Sequence, residues 1–277
     1  MIFNALLICL LLGAAPAAVS AGPYPPAAEQ SGSTAIPLDS PAFSGWAVDY
    51  SDYEPGGGDL EPTWQKPENA LGKAAGTSYD VVSLGRGGHI VLKFDPPISD
   101  GDGWDFAVFE NAFSDTHLEL AYVEVSSNGE DFVRFENTSL TPDPVGGFGT
   151  VDPTLVNGLA GKYRQGFGTP FDLSDLSDKT PVQNGTVDLS RVTHVKLIDI
   201  VGDGTDTDTS GRVIYDPYPT TGSAGFDLDA IGVSNGAPYP DNSEGNDDQT
   251  STKAPPEEEG DAGFGGEGGC FVNAVFD

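Results

Sequence analysis

The chain is poor in cysteine, in positive charge and in helical periodicity, and each shortage excludes something. Of its 277 residues two are cysteines, Cys9 and Cys270. Cys9 lies inside an apolar N-terminal run, so a processed chain keeps one thiol and no internal disulfide can staple it. Stability must then come from an apolar core or from a bound metal. Basic residues number 12 against 43 acidic ones, a formal net charge of -31. Such a surface repels phosphate backbones and anionic headgroups, which makes nucleic acid and lipid poor partners. The three histidines, His89, His117 and His194, are isolated from one another. The sequence has no H-E-x-x-H pair, no G-x-S-x-G turn and no glycine-rich phosphate loop before a lysine.

Long apolar runs are scarce too. The one at residues 5–15 (ALLICLLLGAA) is followed by Ala18-Val19-Ser20-Ala21. A short apolar core before a small-x-small site predicts a cleaved signal peptide over 1–21, although residues 1–4 carry no Lys or Arg. The run is too short to span a bilayer, so the mature chain is expected to be exported, extracellular or on the cell surface, without a transmembrane helix.

What is present is alternation. Between a Pro/Ala/Ser-rich leader at 22–40 and an acidic Gly/Pro-rich stretch at 236–269, apolar residues recur with period two. Strands are predicted over 89–94, 104–110, 118–126, 132–135, 194–201 and 226–233, with an Asn128-Gly129 hairpin turn. Asp95-Pro96-Pro97 is expected to end the first of these. A short helix is expected over 153–162, capped by Asp152, and a further helical turn over 171–176. One all-β domain over 41–235, a jelly-roll β-sandwich of the galactose-binding type, is the expected fold. The 236–269 stretch has too few apolar residues to fold alone, and a Cys270-containing tail follows at 270–277.

Several blocks, in order, resemble a known family. WDFAVFEN (104–111), AYVEVSSNGEDFVRF (121–135), GLAGKYRQGFGTPFDL (158–173), VTHVKLIDIVG (192–202) and YDPYPT with GFDLDAIGV (215–233) are similar to exported bacterial cell surface proteins. These often carry PEP-CTERM-type sorting tails, and no settled activity is attached to them. More distantly, the V-E-V-S-S-N-G hairpin and the F-D-L-D-A-I-G-V strand resemble discoidin-like and carbohydrate-binding jelly rolls. The resemblance implies export and surface location.

Chemistry is sought residue by residue. Asp206-Thr207-Asp208-Thr209-Ser210-Gly211 fits the opening of a calcium loop, in which alternate side chains converge on one ion. Pro217 stands at the twelfth position, where an EF-hand has glutamate, and Asp216 is the nearest substitute. Asp203, Asp206, Asp208, Ser210 and Asp216 are therefore the expected calcium ligands. The competing reading is a solvated Asp/Thr/Gly hairpin. Asp227 and Asp229 share a strand face, either as ligands or as the wet side of an edge strand. Asp105, Glu110 and Asn111 form a third acidic set, with Asp105 expected to be buried and hydrogen-bonded. Trp46, Trp64, Phe167, Tyr215 and Tyr218 are expected in loops, where aromatic faces can stack on sugars. The expected function is a calcium-stabilised module that binds a glycan or an envelope component. The alternatives are a carbohydrate-active enzyme using paired carboxylates and a purely structural envelope protein.

Overall fold

The alternation is realised as antiparallel sheet. The computed structural model describes residues 22–236. Its early strands are β1 (Ile36–Pro37), β2 (Gly45–Trp46), β3 (Asp49–Glu54), β4 (Val82–Ser83), β5 (His89–Ile98), β6 (Phe106–Glu110), β7 (Ala121–Ser126) and β8 (Val133–Arg134). The later ones are β9 (Thr138–Ser139), β10 (Val145–Gly146), β11 (Val156–Asn157), β12 (Phe167–Phe171), β13 (Val192–Asp199), β14 (Pro217–Tyr218) and β15 (Asp227–Val233). One sheet runs β1-β12-β6-β15-β2, with β4 also paired to β15, and the other runs β3-β5-β13-β7-β8. The fold is an all-β sandwich. All six predicted strands are found, as β5, β6, β7, β8, β13 and β15.

The core lies between the two sheets because alternate residues of both face inward. Ile90, Leu92, Val123, Val125, Val195 and Leu197 from one sheet meet Phe106, Val108, Phe171, Leu228 and Ile231 from the other. At its centre Phe106 stacks on Phe171 with centroids 5.3 Å apart. Phe135 stands edge-on to both, at 5.9 and 5.0 Å.

Three expectations are corrected, and the leader finds its place. The 153–162 helix is a single 3-10 turn, Pro153–Leu155, with the Asp152 side chain accepting from the Thr154 N–H; β-branched Val156 then enters β11. β5 does not stop at Asp95 but runs through Pro96 and Pro97. Proline cannot donate to a ladder, and the β5–β13 register shifts between Val192 and His194 to absorb the pair. The 22–40 leader packs on the domain and supplies a strand to it. The outer face of the first sheet carries Ala107, Phe109 and Ala230, and Ile36, Leu38, Phe43, Trp46 and Trp104 cover it. β1 also pairs with β12, and Ala27 and Ala28 are buried. Finally, β15 is no edge strand. It lies between β6 and β2, so Asp227 and Asp229 are buried rather than wet. The expected signal peptide at 1–21, and the 236–269 linker beyond Gly236 with the Cys270 tail, lie outside the described residues.

Phe106→Ala should cost about 3–5 kcal/mol, because the aromatic trio cannot collapse into the space of a phenyl ring. Urea denaturation checks this. A loss below about 1 kcal/mol would mean that the trio does not anchor the core.

Candidate functional site

At one end of the sandwich the core changes from apolar to acidic. Glu110 closes β6 in phase with the inward-facing Phe106 and Val108. Glu119 precedes β7 in phase with Ala121 and Val123, and Asp199 closes β13 in phase with Val195 and Leu197. Side chains two apart share a strand face, so all three carboxyls cap the apolar interior. Asp227, at the start of β15, and Asp216, just before β14, join them. Glu110, Asp199, Asp216 and Asp227 are each 3% exposed or less. None of the five forms an ion pair among the described residues.

Hydrogen bonds satisfy part of this charge. Asp199 accepts from Gly87 N at 2.7 Å and Phe226 N at 2.7 Å. Glu110 accepts from Ala112 N at 2.8 Å, and Asp216 Oδ2 from Leu120 N at 3.0 Å. Asp227 accepts from the Ser83 hydroxyl and is also bonded by Ser223 and Asn111. Two sealed oxygens have no partner: Asp216 Oδ1 and Glu119 Oε1. Backbone closes tightly around the group. A Cβ on Gly202 (φ +76°) would stand 2.0 Å from Asp216 Oδ1, and one on Gly225 (φ +71°) 2.6 Å from Asp199 Oδ1.

The electrostatic consequence follows from burial first and mutual repulsion second. Burial, then the nearby Asp227 and Asp216, push the Glu110 carboxyl well above the ordinary range. Glu119 is raised by burial and then by Asp227, Glu110, Asp216 and Asp199. Asp216 is raised by burial and by Asp199. Burial likewise pushes Asp199 up to about 8 and Asp227 up to about 7.

Loops connected to this acidic end carry exposed aromatic side chains. Tyr79, Phe113 and Phe148 are 80%, 69% and 101% exposed. The loops that carry them are tied to the carboxylate layer and to one another. Asn111 bonds Ser78 O at 3.5 Å, Val151 N bonds Thr116 O at 2.7 Å, and β10 pairs with β14 directly after Asp216. Phe113 stacks on His117 and Tyr79 on Trp64, with centroids 6.4 and 6.5 Å apart.

The residues singled out from sequence are placed differently. Trp46 packs on Phe43 and Phe109 over the outer sheet face. Phe167 lies under the Arg164 guanidinium and Tyr218 under that of Arg86. Tyr215 packs on a small apolar cluster, and Trp64 alone belongs to the aromatic rim. The 206–214 loop is a hairpin closed by Asp208 N to Arg212 O and Ile214 N to Asp206 O. Its expected ligands do not converge. Asp203 accepts from Thr205, Asp206 from Val201 N, and Asp216 lies in the buried layer. Asp208 accepts from Ser139 N, Ser210 N, Arg212 N and Arg212 Nε. Ser210 contributes its backbone N–H to that set. Burial opposes ionisation of Asp208, but these bonds outweigh it and hold the carboxyl below the usual range.

Two other features are less promising. Asp100, Asp105 and Asp172 bring oxygens within 4.8 Å of one another, and are the sole such triad among the described residues. Asp105 is already served by Gly101 N, Leu173 N and Asn235, as its expected burial required. Asp172 caps Ser174 N, and Asp100 is exposed. A cleft of about 340 Å³ between Tyr122, Arg134, Asn137, Lys179 and Asp208 holds two cations, both already paired, with Glu124 and Glu136.

No family model matches the chain, and no curated protein matches it significantly.

Asp208→Ala should lower stability by about 1–3 kcal/mol, because it strands buried donors that the carboxylate now accepts from. The loss should be the same in calcium and in chelator, which paired thermal melts would check. A loss confined to calcium would restore Asp208 as a ligand.

Proposed function

We propose that the chain is an exported or cell-surface binding module that docks a flat-faced ligand, such as a sugar ring, on the aromatic rim. The observation that carries this reading is the exposure of Tyr79, Phe113 and Phe148 on three loops that are tied to the carboxylate layer. Large apolar side chains left in water on loops braced by a rigid scaffold form an interaction surface where they gather into one patch. Aromatic rings supply wide contact area at small entropic cost, and their faces suit the C–H faces of sugars. The chain's formal net charge of -31 disfavours anionic ligands. Export rests on the expected 1–21 signal. Among the described residues no helix is long and apolar enough to cross a membrane.

A glycan-array screen followed by titration of the best ligand tests the reading. Phe113→Ala, Tyr79→Ala and Phe148→Ala should each weaken binding by about tenfold or more, the range of an interface hot spot. Their melting temperatures should hardly move, since exposed substitutions stay within roughly 0.5 kcal/mol. Undiminished binding in the triple variant would refute the rim as the docking surface.

A further inference from the structure

Buried carboxylates are tolerated where hydrogen bonds or cations replace their hydration. In the acidic layer the hydrogen bonds run out before the oxygens do. Asp216 is 2% exposed, and its Oδ2 is held by Leu120 N while Oδ1 has no partner. Glu119 Oε1 is likewise sealed and unpartnered. The charges that weigh most on Glu119 are those of four neighbouring carboxyls, and among the described residues no cationic side chain is paired with any of the five. A polar interior without ligands for its acceptors is the setting in which a hard cation binds.

We propose that Asp216, Glu119, Glu110 and Asp227 hold one divalent cation of the calcium class at the end of the sandwich. Asp216 Oδ1 and Glu119 Oε1 are the first ligands, being the two oxygens with no other partner. Glu110 and Asp227 add further oxygens from β6 and β15. Asp199, whose two oxygens each accept from a backbone N–H, of Gly87 and of Phe226, is not needed to complete the set. The donor set is all oxygen, which favours calcium or magnesium over metals that prefer histidine or cysteine. No three of these carboxylates bring oxygens within 4.8 Å of one another, so the ion must draw them inward by side-chain rotation. Calcium accepts such irregular shells, whereas magnesium demands a near-ideal octahedron. The proposal does not depend on what docks at the aromatic rim. It does place an ion under the roots of the rim loops, since Glu110 precedes the Phe113 loop and Asp216 precedes β14.

The test uses metal-stripped protein, titrated calorimetrically with calcium chloride and with magnesium chloride, and melted in calcium and in chelator. One calcium should bind, with magnesium weaker by at least tenfold. At a hundredfold excess over Kd the melting temperature should rise by roughly 5–10 °C. Asp216→Asn and Glu119→Gln keep shape and remove charge. Each should weaken calcium binding at least tenfold and melt no lower than the unmodified protein in chelator, yet lower than it in calcium. A purely structural role would lower both melts equally, and that outcome would overturn the proposal. So would an unmodified protein with no heat of binding and one melting temperature in all three conditions. Asp105→Asn is the control for the other acidic triad. Calcium binding lost there but kept in the Asp216 and Glu119 variants would place the ion elsewhere and also overturn it.

Discussion

A carboxylate moved from water into an apolar interior loses its hydration, and only hydrogen bonds or a cation can replace what is lost. Here five such groups, from five separate stretches of chain, meet where the core of a sandwich ends. Backbone N–H groups of Gly87, Leu120, Ala112 and Phe226 are turned inward to receive them. Gly202 and Gly225 adopt positive φ so that the backbone can approach without a Cβ striking an oxygen. The conformations of these loops follow from the need to solvate that charge. A divalent ion would complete the same task for the two oxygens that the backbone leaves unserved.

The sheets make this arrangement possible by ending together. β6 finishes beside the start of β15 in one sheet, and Phe226 N, just before β15, reaches Asp199 at the end of β13 in the other. The loops between them are cross-tied rather than free, through Asn111 to Ser78, Thr116 to Val151 and β10 to β14. Exposed aromatic tips on braced loops can present a fixed surface to a ligand, which is what precise binding requires. The acidic layer and the aromatic rim are therefore two consequences of one set of strand ends.

The strands were legible because burial of one face enforces period two, as in 121–126 and 192–199. The acidic layer was harder to read. Spacing within one segment pointed to 206–216, yet that loop spends its carboxylates on its own hairpin, with Asp208 closing it onto Arg212. The true neighbours are far apart in sequence, and local spacing does not encode long-range meeting. A usable signal was nevertheless present. Glu110, Glu119 and Asp199 each continue the phase of the inward-facing residues at a strand end, where a solvated acid would be expected out of phase. The aromatics show a similar lesson. Trp46 lies in a segment that looks like a loop but packs as a cover, because a large ring seals a sheet face efficiently, and Phe167 opens β12 under the Arg164 guanidinium. Tyr79, Phe113 and Phe148 carry no periodic signal, and the small or polar residues beside them are what leave the rings unburied.

The most direct test is a crystal structure of protein grown in calcium, with diffraction recorded at long wavelength so that calcium scatters anomalously. The acidic layer should show one anomalous peak bounded by Asp216, Glu119, Glu110 and Asp227, with oxygens about 2.3–2.6 Å from it. The contradicting result is no peak there, with Glu119 or Asp216 instead sharing a proton with another carboxyl at about 2.5–2.7 Å.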